Sequence, residues 1–288
     1  MTDYVIFADS ACDIDPEILK SWGIKSKDMV VRFEGEEKEY MSYDLDAEEF
    51  YDEMKNGKIA KTAAINSEEF KDMFKSALDE GKDAIYIGFS SGLSCTYNTA
   101  RLAVDELREE YPDRKIYKAD SRCASGGYGL LLYLVAKQKQ AGATIDDIRN
   151  YVYENRLNIC HWFTVDDLSY LKRGGRISAT TALVGNVLNI KPVLHMDDEG
   201  HLVNVTKVRG RKASIKAMAE KYDELAINKE DGIVYISHGG CENDAKYLKT
   251  VLEENYRANV ELITPIGPVI GAHSGPGTLA VFFVGSER

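Results

Sequence analysis

Asp83-Ala84-Ile85-Tyr86-Ile87-Gly88-Phe89-Ser90-Ser91-Gly92-Leu93-Ser94-Cys95-Thr96-Tyr97 is a short apolar run feeding a polar, glycine-containing turn, and the pattern that starts there continues to Tyr111. Asp83 to Phe89 suits a buried strand. Beyond the turn, apolar residues recur at Leu93, Tyr97, Ala100, Val104, Leu107 and Tyr111, with the gaps of four and three that mark one face of a helix. A strand that enters a helix through small hydroxyl residues leaves free backbone N–H groups and side-chain hydroxyls at the helix N-terminus. The helix dipole favours an anion there. Ser91 or Ser94 serving only as a helix cap fits the same pattern.

The neighbouring segments repeat this unit. Tyr4 to Ala8 reads as a strand ending in Asp9-Ser10-Ala11-Cys12-Asp13, and Asp15-Pro16 fits an N-cap with proline at the first position of a helix to Trp22. Asp9 and Ser10 remain candidates for the floor of a site. Met29 to Tyr40 suggests a hairpin turning at Glu34-Gly35-Glu36, and Asp46 to Lys55 a short acidic helix. Lys61 to Asn66 reads as a small-residue loop before the helix Ser67 to Asp79, which Asn66 and Glu69 cap reciprocally. Thr62 lies too early for that cap and has no obvious structural duty, although an exposed loop threonine is the commoner reading. Lys115 to Ala119 is another strand, followed by Asp120-Ser121 and three glycines, Gly126, Gly127 and Gly129, before a helix apolar almost all round. These glycines match neither a dinucleotide nor a P-loop fingerprint, so close backbone packing explains them.

The texture changes at about Asn158. Cys160 to Val165 is strand-like, and Lys172-Arg173-Gly174-Gly175-Arg176 sets two guanidiniums around a tight turn, suited to a carboxylate or phosphate or simply solvated. Asn189 to Leu194 and Leu202 to Val208 suggest an antiparallel hairpin, and the basic run Lys207 to Lys212, with Arg209, opens a helix. Such a patch suits an acidic partner or an anionic membrane surface, or an ordinary solvated helix start. After a strand at Gly232 to Ser237, a helix and a strand at Val260 to Ile263, a loop of glycines and prolines from Ile266 to Gly277 surrounds His273. Leu279 to Val284 is the last strand.

The 288 residues fit two domains of about 150. The expected boundaries are 1–157 and 158–288, α/β overall. A hydrophobic content of 44% and a charged content of 29% describe an ordinary soluble globular chain, and the formal charge of -11 argues against general nucleic-acid binding. The N-terminus has neither a basic leader nor a long apolar segment, so a cytoplasmic protein is expected. Five scattered cysteines without a C-x-x-C predict reduced thiols and no metal site.

Asp9 to Asp13, Ser90 to Tyr97, Asp120-Ser121, Tyr170 to Ile177, Leu188-Asn189-Ile190-Lys191-Pro192 and Gly267 to Gly277 together resemble the DegV family, in the same order and nearly end to end. The resemblance implies an N-terminal α/β/α domain around a parallel sheet, a C-terminal α+β domain with a largely antiparallel sheet, and a long-chain fatty acid between them. It further implies a carrier rather than an enzyme. A separate ATP-dependent kinase would convert the bound acid to an acyl phosphate for phospholipid synthesis, with no cofactor beyond the ligand. By position, Thr62, Ser94 and His273 would hold the carboxylate and Arg173 would support that polar end. Arg176 and Arg209 would face the kinase or, transiently, a membrane. The chain departs from the family's usual residues at Ala63, commonly Ser, and at Cys95, commonly Gly. The alternative is a serine hydrolase using Ser94, His273 and an acid such as Asp9 or Asp120, although Ser94 lacks the usual elbow motif. A self-contained kinase is disfavoured by the missing phosphate loop.

Overall fold

The computed structural model describes residues 3–178 and 189–288; Leu188 of the Leu188–Pro192 motif falls outside them. The chain begins β1 (Tyr4–Asp9), α1 (Pro16–Ser21), β2 (Ile24–Lys27), β3 (Val30–Phe33), β4 (Glu39–Met41), α2 (Ala47–Lys55), β5 (Ala60–Thr62) and α3 (Ser67–Leu78). It continues β6 (Asp83–Gly88), α4 (Thr96–Glu110), β7 (Ile116–Asp120), α5 (Ser125–Gln140) and α6 (Ile145–Asn155). Strands β2-β1-β6-β7 form a parallel sheet. Every residue of β1 and β6 is buried, as expected of strands covered on both faces.

The later elements are β8 (Ile159–Thr164), α7 (Ser169–Arg173), β9 (Ile190–Met196), β10 (Leu202–Arg209), α8 (Arg211–Leu225), β11 (Ile233–His238), α9 (Glu242–Tyr256), β12 (Asn259–Pro265), α10 (Pro268–Ser274) and β13 (Leu279–Val284). They build a second sheet in the order β10-β9-β8-β13-β11-β12, antiparallel except for β11 with β12. The α/β architecture with one parallel and one largely antiparallel sheet is therefore the one the sequence implies. Helix α5 packs against β8, β11 and β13 and also against the turn after β1, which explains why it is apolar nearly all round. One hydrophobic core runs through the parallel sheet and α5 to the near face of the mixed sheet, and a second lies under α8 and α9.

Several local expectations change. Residues 60–62 are not loop: β5 pairs with β3, Thr62 opposite Val31, in a small antiparallel sheet ordered β4-β3-β5. Three residues are too short for a period-2 pattern to register. The glycine- and proline-rich stretch around His273 contains helix α10, whose Pro268 occupies the first turn, where proline's missing N–H costs nothing. Helix α4 begins at Thr96 rather than Leu93. The reciprocal cap at Asn66/Glu69 forms as its spacing predicts, and Thr144 and Asp147 make a second one at the start of α6.

The β9–β10 hairpin seats on the turn after β6. Ser90 Oγ donates to the Gly200 carbonyl at 2.9 Å, and the Arg122 guanidinium donates to the Asp198 carbonyl. A Cβ on Gly92 would lie 2.7 Å from that same Gly200 oxygen, backbone against backbone. Gly92→Ala is expected to lower stability in urea unfolding by about 1–3 kcal/mol, the usual cost of overpacking. An unchanged midpoint would mean that the hairpin does not rest on this turn.

Candidate functional site: a cavity between the sheets

Between the two sheets lies a cavity that gives about 210 Å³ to the centres of water-sized molecules. A single water needs roughly 10–15 Å³ on that measure, so this is a chamber and not a packing defect. Its walls are mostly apolar and come from both halves of the chain: Met29, Phe89 and Leu93 on one side, Phe163, Met196, Leu202, Val269 and Phe282 on the other. Thr62, Ser94, Cys95, Arg176 and His273 also line it.

These polar residues are linked to one another. Strand pairing in β5 fixes Thr62, whose Oγ1 lies 2.8 Å from His273 Nε2. The Arg176 Nε donates to the Leu93 carbonyl at 3.0 Å, one residue before Ser94, and its Nη1 donates to the Gly174 carbonyl and approaches His273 Nδ1 at 3.4 Å. Ser94 precedes the N-terminus of α4, where its Oγ accepts from the Thr96 N–H at 3.2 Å and pairs with Thr96 Oγ1 at 2.9 Å. Cys95, the N-cap of α4, makes no cap bond through its own side chain, and Ser94 takes the first N–H of the helix instead.

The protonation of His273 follows from its neighbours. A guanidinium can only donate, so Nδ1 is the acceptor and the proton resides on Nε2, directed at Thr62 Oγ1. Thr62 thereby accepts from the imidazole and keeps its own hydroxyl hydrogen for another partner. Burial, and then the charge of Arg176, push the His273 pKa down to about 4, so the ring is neutral near pH 7. Gly174 makes the arrangement possible: a Cβ there would lie 2.6 Å from His273 Nδ1.

The two arginines of the Gly-Gly turn occupy the reverse of their expected places. Arg173 is exposed and lies over the Tyr170 ring, 5.2 Å from its centroid, whereas Arg176 is half-buried in the cavity wall. Helical spacing separates them, because Arg173 ends α7 and Gly175, at φ +71°, turns the chain back. Arg209 is exposed at the end of β10, away from the cavity. Ala63 is exposed too, while Cys95 sits at the cavity mouth.

Away from this cluster the polar groups of the wall are already satisfied, except Ser274, whose buried Oγ has no hydrogen-bond partner among the described residues. Ser125 Oγ donates to Asp13 Oδ2 at 2.5 Å, and burial pushes the Asp13 carboxyl up to about 8. Thr278 Oγ1 donates to the carbonyls of Ser274 and Gly275. His161 accepts from the Ala124 N–H on Nε2 and donates from Nδ1 to the Ile159 carbonyl, and burial lowers its pKa to about 3. Nothing in the strand-like run Cys160 to Val165 singles out His161; its place as a neutral wall residue depends on strand pairing with Phe282.

The acids named for a hydrolase lie elsewhere. Asp9 accepts from the Tyr86 hydroxyl and from the Phe89 and Ala11 N–H groups, and Asp120 accepts from Ser91 and the Arg122 N–H. Among the described residues no group of three or more His, Cys, Asp or Glu could hold a metal ion, and no helix is long and apolar enough to cross a membrane.

A family model described as an uncharacterised protein of the DegV family matches residues 3–286. A DegV domain-containing protein of Clostridium perfringens is 39% identical over 289 residues, covering 100% of this chain and 99% of its own. Among solved structures, a DegV lipid-binding protein from Thermotoga maritima has a TM-score of 0.85 at 30% identity and covers 99% of each chain. DegV of Bacillus subtilis, a fatty acid binding protein, has a TM-score of 0.84 at 27% identity over 99% of this chain and 100% of its own.

Gly174→Ala tests the histidine's setting. The added methyl should push the ring from Arg176 and out of its buried seat, so an NMR titration should move the His273 midpoint up from about 4 towards the ordinary value near ~6.5. A midpoint that stays low would show that Gly174 does not set the ring's position.

Proposed function

The chain belongs to the DegV family, and from that membership we propose that it binds a long-chain fatty acid, with the carboxylate at Thr62, Ser94, Arg176 and His273 and the tail in the cavity. The observation that carries this reading is the division of the cavity. One linked cluster offers hydroxyls and a guanidinium, and elsewhere the wall is apolar or already hydrogen-bonded save for the buried hydroxyl of Ser274, the residue next to His273. A carboxylate leaving water needs several donors. A tail gains about 0.8 kcal/mol per buried methylene, so ten of them contribute on the order of 8 kcal/mol before ordering costs.

The protein presents its ligand and performs no chemistry alone. A separate ATP-dependent kinase in the cytoplasm phosphorylates the carboxylate, supplying acyl phosphate for phospholipid synthesis. That Cys95 is exposed and Arg176 half-buried in the cavity wall supports a head-group end at the cavity mouth, within a partner's reach. Of the three arginines Arg173, Arg176 and Arg209, the first and the last are exposed and so available to meet that partner or, transiently, an anionic membrane. The fatty acid is the ligand, and no other cofactor enters this reading.

Lipids extracted from the purified protein should contain a fatty acid in near-stoichiometric amount, and the Thr62→Ala/Ser94→Ala variant should retain little. A wild type that is empty and refuses added fatty acid would overturn the proposal. The pH dependence is a second check. His273 donates to Thr62 as a neutral ring, so its contribution needs no added proton, and affinity should stay level from about pH 6.5 to 8. A loss of affinity through that range would point instead to a charged imidazole.

A further inference from the structure

Gly126 and Gly127 lie under the part of the cavity wall formed by Phe282 and His161. Thr278, which donates to the carbonyl of Ser274, marks the near end, and Phe282 lies four residues further along an extended chain. That is about 13 Å at strand spacing. Thr278, Ala280 and Phe282 all line the cavity, so this row of alternate residues runs along its length. Phe282 pairs across the sheet with His161, their rings edge to face with centroids 5.2 Å apart.

Beneath these rings is the first turn of α5. A Cβ on Gly126 would lie 2.9 Å from the Phe282 ring and 2.7 Å from Ser237 Oγ, and a Cβ on Gly127 would overlap the His161 imidazole. Neither glycine has a positive φ, so the backbone does not require glycine at either position. What requires it is space for the two rings. Both rings have close-packed protein on the helix side and the cavity on the other, so a ring displaced by a methyl group moves into the cavity. We infer that Gly126 and Gly127, by letting Phe282 and His161 recede towards α5, set the depth of the cavity and hence the acyl chain length it accepts. The chain's far end is an unsubstituted hydrocarbon, since His161 has both nitrogens engaged.

This inference rests on the fatty acid reading, and one experiment separates the two. The full chain is equilibrated with an equimolar mixture of straight-chain fatty acids of graded length, and the bound species are quantified by mass spectrometry. Gly126→Ala should shift the profile to shorter chains, with affinity falling roughly fourfold for each methylene excluded. Phe282→Leu should shift it to longer chains, and the double variant should return towards the wild type. Wild-type profiles in both single variants would overturn the inference. If Gly126→Ala does not fold, Phe282→Leu decides alone, and an unchanged profile again overturns it. Failure of the wild type to take up any of the acids would instead overturn the parent reading of the site.

Discussion

Two sheets share one helix here, and the geometry of that sharing governs the molecule. Helix α5 is wedged between the turn after β1 and the mixed sheet, with Ser125 to Leu132 buried. A helix flanked on both sides holds its neighbours at least a side chain apart unless its own surface is cut back. Gly126 and Gly127 cut it back towards Phe282 and His161, and Gly129 does so towards Ile14 and the Cys12 carbonyl. Glycine in a helix costs roughly 0.5–1 kcal/mol against alanine, which the closer packing of both sheets offsets. The cavity opens beside the N-terminus of α5, with Ala124 and Ser125 in its wall.

The opposite end of the cavity depends on electrostatics rather than packing. Thr62 and His273 are 211 residues apart in sequence, and their hydrogen bond ties the small β4-β3-β5 sheet to α10. Arg176 completes the link to the turn before α4 through Leu93. A half-buried guanidinium is tolerable when carbonyls solvate it, as those of Leu93 and Gly174 do. Its charge has no carboxylate partner among the described residues, so an incoming anion meets uncompensated positive charge.

Much of this was legible in the sequence because it is local. Strand, hydroxyl turn and helix around Ser90 to Thr96 and the reciprocal cap at Asn66 and Glu69 are periodic or short-range signals, whereas the two-sheet architecture was implied by the family resemblance. The misreadings share a cause. Thr62 looked like a loop residue because its strand has meaning only through pairing with β3. The exchange of Arg173 and Arg176 turns on one residue, Gly175, whose left-handed backbone reverses the chain between helix and cavity. Nothing in a list of basic residues says which side of such a turn each will face. His161 is a still clearer case, because its role exists only once β8 and β13 are paired and α5 is laid across them.

The same arginine also bears on what kind of chemistry the site favours. A histidine that activates a serine presents an acceptor nitrogen to the nucleophile and directs its N–H at a carboxylate, which steadies the imidazolium as it forms. His273 has the inverse wiring. Its acceptor nitrogen faces Arg176, its proton points at Thr62, and both burial and the neighbouring charge oppose protonation. Taking a proton from Ser94 would create an imidazolium beside a guanidinium in a half-buried setting, where like charges repel strongly. A ring held in this way is a poor base and a good fixed donor. Combined with a cavity whose remaining polar groups, apart from the Ser274 hydroxyl beside His273, are spent within its own wall, that wiring suits capture of an anion with a hydrocarbon tail.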